Sequence, residues 1–553
     1  MKRLLSAALA LALILALAMS ASAETFTTTA PGYGGDVTVT TTIEGGRVTA
    51  VELGENRESL VVIERAFPIL AGRIVEAGTA DVDSVTAATF SSYAVKSAVA
   101  AAMEQAGLTA PKIGMADSRD YEAVTLENVT CDIVIVGGGP SGLAAAISAK
   151  EVNPDAHVIV IEKLDILSGN GKFDLNFYDL VASEAMKAAG IEDSADAFYN
   201  DMIGNGNGEA RTRVWADVEA TTDAWLRSFG VNLDYTYGKR NHMATVDDYA
   251  GQLIQRGMEA HVAELGIEVR TGTKGLDLVM EDGAVLGVSV ITNRNESYSI
   301  LAKKTILATG GFSQNQELLS KYAPAHATYM SSNQIGATGD FVPVFEKYGF
   351  KLENMGKIRL IPLILLPSRD LTNSGKGTIL VNGEGKRFCN ERASELALAE
   401  PIAAQKACFM LVDTQKVKDH ANVRKQVKEG RFFVAETLED AAAYIGCDAA
   451  TLKATVEAYN AHAEAGTEDE FGHKPERAIL PEGPYYVSRA CSAVHMTKGG
   501  VVCNELAQVL TENDEIVPNL YASGEVTWQS GGYSQSVVFG RVAGEAAARA
   551  LAE

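Results

Sequence analysis

Cysteine is scarce and unclustered in this chain of 553 residues: the six, Cys131, Cys389, Cys408, Cys447, Cys491 and Cys503, form no C-x-x-C and no C-x-x-C-H. Such spacing excludes a c-type haem, an iron-sulfur cluster and a zinc framework, and it selects no disulfide pairing, so most of the thiols read as buried and free. Positive charge is short as well, 48 Lys and Arg against 71 Asp and Glu, for a formal net charge of -23. That surplus repels phosphate, which removes nucleic acid and an anionic membrane surface from the partner classes. Long apolar runs are missing except at the extreme N-terminus, where Lys2 and Arg3 precede residues 4–19 and the small-residue site Ala21-Ser22-Ala23. The run is shorter than the roughly 20 residues a membrane-spanning helix needs, and no cysteine accompanies it for lipid attachment, so residues 1–23 are expected to be a secretory signal peptide. The protein is therefore expected to be exported, to the periplasm or cell surface, and loss of Lys2 and Arg3 takes the net charge to -25.

What is present is enough for two or three domains, since 553 residues exceed one hydrophobic core and 47% of them are apolar. After the leader, residues 36–42 and 47–52 alternate apolar and polar around Gly45-Gly46, the signature of a hairpin. Ala, Val and Met recur at helical spacing over 90–105, which closes a small α+β module at 24–110. A polar connector follows. Residues 131–136 then form a continuous β-branched run that feeds a glycine turn, an alanine-rich helix at 141–149 and a second strand at 157–161. That unit predicts a doubly wound α/β domain over 130–355, to which the apolar strand 305–308 with Thr309-Gly310-Gly311 belongs. The pattern changes to strands and longer helices over 356–495, an inserted α+β capping or substrate domain, and 496–553 returns to the first domain.

Two motifs carry chemistry. In Val136-Gly137-Gly138-Gly139-Pro140-Ser141-Gly142 the three spaced glycines, Gly137, Gly139 and Gly142, permit a tight turn, a close approach of pyrophosphate to backbone, and helix against strand. Free N–H groups at the helix start, Ser141 among them, then face the phosphates, and Glu162, twenty residues after Gly142, is placed to accept from ribose hydroxyls. The second motif is Asp83-Ser84-Val85-Thr86-Ala87-Ala88-Thr89 with Phe90-Ser91-Ser92. A Ser/Thr cluster before an amphipathic helix serves as an N-cap or presents an accessible hydroxyl where phosphate meets unpaired N–H donors.

The order of motifs over residues 130–553 resembles the fumarate reductase and flavocytochrome c family of FAD-dependent reductases. The matching segments are the glycine turn, Glu162-Lys163 with Gly169-Asn170, Thr309-Gly310-Gly311, Thr338-Gly339-Asp340, Gly377 to Asn382 with Lys386-Arg387-Phe388, His495 before Gly499-Gly500, and Gly524-Glu525 with Phe539-Gly540-Arg541. The resemblance implies non-covalent FAD held by Gly137, Gly139, Ser141, Gly142, Glu162, Asn170, Thr309, Gly310, Asp340 and Glu525, with the backbone at Gly532 and Tyr533 facing the isoalloxazine. Residues 83–89, with the hairpin before them, resemble FMN-binding domains, in which a flavin transferase attaches FMN covalently to the final threonine, here Thr89. Ala87 stands where that family commonly has glycine, a change of one methyl group.

Family members reduce the C=C bond of an unsaturated carboxylate such as fumarate or urocanate. The resemblance implies an exported two-flavin oxidoreductase that takes electrons from a membrane or extracellular donor onto FMN, passes them to FAD and then to an organic acceptor. The family's proton-donating arginine lies four residues beyond the Glu of an Asn-Glu pair, and here Asn390-Glu391 leads to Glu395. Glu395 is the candidate acid if burial raises its pKa, with Arg392 as its ion-pair partner and His495 or Lys498 on an acceptor carboxylate. Ile361-Pro362 replaces a His-Pro, and no arginine occurs between Glu525 and Arg541, where a shortened loop carries Trp528, Gln529 and Tyr533. These departures predict that dicarboxylates are poor acceptors. The segment after Gly169-Asn170 also lacks the later glycine pair usual beside FAD. Ketosteroid desaturases, which share the FAD fold and carry tyrosine at the position of Glu395, supply an alternative reading, and a non-catalytic flavin electron carrier supplies another.

Overall fold

The computed structural model describes residues 23–115, 120–167, 169–172, 175–205, 208–528 and 532–552, in two compact units that part between Tyr121 and Glu122. The expected leader, Ser168, Phe173 and Gln529 lie outside the described residues.

The first unit is a three-stranded antiparallel sheet, β1 (Glu24–Pro31), β2 (Asp36–Glu44) and β3 (Arg47–Leu53) in that order, with helices α1 (Leu60–Ala77) and α2 (Thr89–Gln105). Val37, Val39, Thr41 and Ile43 alternate onto the buried face of β2. Ala94, Val95, Ala98, Val99 and Ala102 of α2 are fully buried, as helical spacing requires. The Thr28 hydroxyl donates to Ala98 O at 2.7 Å, which ties β1 to α2.

In the second unit β4 (Val129–Val136), helix α3 (Pro140–Val152) and β5 (Val158–Ile161) realise the strand, turn, helix, strand pattern. Further along the chain come β6 (Glu268–Arg270), β7 (Thr273–Glu281), β8 (Ala284–Thr292) and β9 (Glu296–Leu307). The sheet runs β6-β5-β4-β9-β8-β7, and the C-terminal half of β9 also pairs in parallel with the later strand at 516–522. Its parallel members therefore lie in the order third, second, first, fourth, fifth. The order reverses between β4 and β9, and a crevice opens at the carboxyl ends of strands at such a point. β9 is longer than the expected strand because its N-terminal half pairs with β8; it runs beside β4 from Ile300 to Leu307, and Thr305 to Leu307 also join the 516–522 strand.

Residues 358–497 contribute a second sheet, β10 (Ile358–Leu365), β11 (Thr378–Asn382), β12 (Cys408–Asp413) and β13 (Tyr485–Thr497), with β13 antiparallel to both β10 and β12. Helices α4 (Glu395–Ala403) and α5 (Ala421–Lys428) belong to this part. The chain then returns through β14 (Ile516–Ala522) to helix α6 (Tyr533–Arg549). α6 lies on α3 at close range: a Cβ on Gly544 would stand 2.1 Å from Ala145 O, so the small residues of both helices are needed for their contact.

Candidate functional site

Two sheet ends make the floor of the main cleft. The N–H of Ala308, just past β9, donates to Val136 O at the end of β4, 2.8 Å away. Gly137 follows with φ 117, and a side chain there would meet Ala308 O at 2.3 Å. A Cβ on Gly142, the first-turn glycine of α3, would lie 1.9 Å from Gly137 O. Only glycine fits both positions, so the backbone turns tightly and α3 starts directly above the strand ends. The N-cap of α3 is Gly139, which offers no capping side chain, and the first N–H groups of the helix are left for an anion.

The cleft encloses about 560 Å³. Of the residues assigned to FAD from sequence, Gly137, Gly139, Ser141, Glu162, Asn170, Thr309, Gly310, Asp340, Glu525, Gly532 and Tyr533 line it, and Gly142 lies beneath it as the contact between helix and strand. Glu162 is buried and accepts from the N–H groups of Gly138 and Leu164, both at 3.0 Å, so its carboxylate is fixed at the mouth of the turn. Asp340 receives Lys163 at 2.6 Å and Lys274 at 3.0 Å; burial opposes its charge, but the two ammonium groups hold its pKa below the ordinary value. Glu525 is pushed up to about 7 by burial, against the opposing hydrogen bonds from Thr497 N at 2.9 Å and Asn170 Nδ2 at 3.4 Å. α6 begins at Gly532, φ 96, again without a capping side chain, so a second helix N-terminus opens on the same cleft. A glycine cradle, two uncapped helix starts and a fixed acidic residue are what a dinucleotide with a polar isoalloxazine edge requires, and the residues present fit FAD.

The same cleft carries the acceptor candidates. Glu395 is the first residue of α4, and its side chain is paired with Arg359 of β10 through Nη2 at 2.9 Å and Nε at 3.3 Å. Arg392 does not line the cleft and is not the partner of Glu395; its guanidinium pairs with Glu476 at 3.2 Å. Residues 390–394 form a turn and α4 begins only at Glu395, so the helical spacing that would bring Arg392 and Glu395 together does not exist. Glu395 is about half exposed, 51%, and so lacks the burial on which its reading as the acid depended. His495, on β13, lines the cleft with Nδ1 at 3.0 Å from Ser332 Oγ. Burial, and then the neighbouring Arg359, pushes its pKa down to about 4, so it is a neutral imidazole at physiological pH. Lys498 is exposed and does not line the cleft. Ile361, Leu371 and Met496 supply apolar wall.

In the first unit Thr89 is the exposed first residue of α2, whose N-cap, Ala88, offers no side-chain hydrogen bond. The turn before it is braced from below: Ser92 Oγ accepts from Val85 N at 3.0 Å, and the buried Lys96 donates to Val82 O and Ser84 Oγ, each at 3.0 Å. An accessible hydroxyl over free helix N–H groups fits a flavin phosphate. Ala87 has φ 74, in the left-handed region, so its methyl group matters through backbone strain rather than through its small volume.

Sequence reasoning missed Arg359, Ser332, Lys274 and the pairing of Lys163 with Asp340. Arg359 had a signal, being the one charged residue within the apolar strand 358–365, two positions before the Ile361-Pro362 already singled out. The others depend on contacts between residues far apart in the chain that no local pattern announces, 163 apart for Ser332 with His495 and 177 for Lys163 with Asp340.

Residues 132–536 match the FAD binding domain family and residues 32–104 match the FMN-binding domain family. The chain is 30% identical over 558 residues to the urocanate reductase of Eggerthella lenta, an alignment covering 94% of this chain and 91% of that protein. It is 28% identical over 545 residues to the NADH:fumarate oxidoreductase of Klebsiella pneumoniae, covering 93% of this chain but only 57% of that relative's length. Among solved structures, the open conformation of a flavocytochrome c3 fumarate reductase superposes with a TM-score of 0.71 at 29% identity, over 76% of this chain and 78% of that one.

Proposed function

Because the chain belongs to the family of FAD-dependent reductases that carry an FMN-binding domain, we propose that it is an exported two-flavin enzyme that reduces the C=C bond of an α,β-unsaturated carboxylate. One observation carries the proposal: the glycine cradle for FAD and the group Arg359, Glu395 and His495 line one cleft. FAD, when bound, supplies a hydride to one carbon of the conjugated bond. Arg359 holds the acceptor's carboxylate and draws electron density from the alkene, and Glu395 holds the guanidinium in place. His495 stays neutral, with Nδ1 fixed by Ser332, and orients the acceptor without adding charge. The apolar wall of Ile361, Leu371 and Met496 suits an acceptor with an aromatic or heteroaromatic substituent. The proton for the second carbon is delivered from water, with which the half-exposed Arg359–Glu395 pair keeps contact beside the bound acceptor.

Thr89 carries covalent FMN, placed there by a flavin transferase after export, and receives electrons from a membrane or extracellular donor. The exposed hydroxyl at an uncapped helix start supports this, as does the leader-like N-terminus. Anaerobic turnover with a reduced viologen against a panel of enoates tests the proposal. Dye oxidation by enoates that bear one carboxylate is expected; oxidation by none of them overturns it. The Thr89→Ala variant is expected to lose flavin fluorescence from the denatured polypeptide while FAD content and viologen-driven turnover persist. A fluorescent band that survives the substitution places the attachment elsewhere.

A further inference from the structure

Among the described residues, each cation lining the cleft already has a carboxylate beside it. Among the described residues lining it, the cations are Lys163, Lys274 and Arg359; the two lysines pair with Asp340 and the arginine with Glu395. Glu395 occupies the Nε and Nη2 edge of the guanidinium, and Nη1 has no partner among the described residues. A planar guanidinium presents five N–H donors, so its outer end remains able to receive one further carboxylate. The neighbouring His495 is neutral and brings no second positive charge. We infer that Glu395 is a fixed counter-anion that sets the valence of the acceptor site: one monocarboxylate is received end-on by Arg359, and a dicarboxylate is rejected by the carboxylate already bound there.

This rests on the acceptor reading above and deepens it by naming the charge class. The reason is electrostatic. A bound monoanion shares a guanidinium with Glu395, whereas the second carboxylate of a dianion finds, among the described lining residues, only lysines already held by Asp340 and adds repulsion from Glu395 at partly solvated range. Both side chains are about half exposed, 42% and 51%, so the interaction is moderate and either residue can be replaced without leaving a buried charge behind. Glu395 thus acts through Arg359 and through its own charge, as a positioning and selectivity residue.

Calorimetric binding to the oxidised holoenzyme tests this without turnover, with 3-phenylpropionate as monoanion, succinate as dianion and 3-phenylpropionamide as neutral probe. Wild type is expected to bind 3-phenylpropionate at least tenfold more tightly than succinate. Arg359→Gln should weaken 3-phenylpropionate about tenfold and leave the amide unchanged. Glu395→Gln should improve succinate about tenfold relative to 3-phenylpropionate, with the amide again unmoved. Equal changes for monoanion and dianion in Glu395→Gln, a wild type that prefers succinate, or no binding of either acid overturns the inference. FAD content and thermal unfolding of each variant separate a folding defect from a charge effect. An enzyme that binds as described but reduces no enoate would sink the reductase reading and leave the charge selectivity standing.

Discussion

At the residue scale, Thr89 opens helix α2 directly after a short turn in which Ala87 adopts a left-handed backbone conformation. Thr89 was readable because a hydroxyl, a short turn and a helix start are consecutive in sequence. Ala87 was readable only in part: its size is visible in the sequence, but its φ of 74 is not. A non-glycine residue in that region costs about 1 kcal/mol, less what glycine loses through its freer unfolded chain. Ala87→Gly is therefore expected to stabilise the first unit by about 0.5 kcal/mol, read as a higher urea midpoint with an unchanged slope. A lower midpoint would mean that the alanine is not strained there. Glu395 shows the opposite case. Its position was identifiable from Asn390-Glu391, but its partner is Arg359, 36 residues away on β10, and not the neighbouring Arg392.

At the element scale, the strand, turn, helix unit was the most legible part of the chain, because each of its glycines answers a local steric demand. The least legible elements were β1 and α1, which had no counterpart in the sequence reading. β1 carries four threonines among its eight residues, Thr25, Thr27, Thr28 and Thr29, and is recognisable as a strand only through its pairing with β2. The turn that delivers Glu395 is likewise held by distant groups: Arg387, nearly buried, pairs with Glu391 and with Asp469, each at 2.7 Å, and His473 Nδ1 lies 2.9 Å from Glu391. Burial opposes the charge on Glu391, but Arg387 and His473 hold its pKa below the ordinary value, so the group is a braced ionic knot. The glycine turn gives the sharper test. With the Cβ of an alanine at 142 standing 1.9 Å from Gly137 O, either the turn or the helix must move. Gly142→Ala should cost FAD affinity on the order of 3 kcal/mol, roughly a hundredfold, seen as loss of extractable FAD from a purified protein that retains its far-UV helix signal. A variant that keeps its full content of extractable FAD would show that α3 does not serve as the pyrophosphate seat.

At the scale of the whole molecule, the division at Tyr121 and Glu122 separates the two flavin-bearing regions into units that each own a hydrophobic core, Val37 to Met103 in one and the α3, α6 and β4 group in the other. A ligand stabilises the unit that binds it by RT ln(1 + [L]/Kd), about 2.7 kcal/mol at a hundredfold excess over Kd. FAD added to FAD-depleted protein is thus expected to raise the unfolding temperature of the second unit by a few degrees, and the transition of the first unit should stay where it was. Differential scanning calorimetry reads both transitions in one experiment, and the transition that does not move with FAD is assigned to the first unit. A single cooperative transition that moves as a whole with FAD would mean that the two units fold as one body. In that case the strain at Ala87 and the cradle at Gly142 would report on each other, and substitutions at the two sites would no longer add.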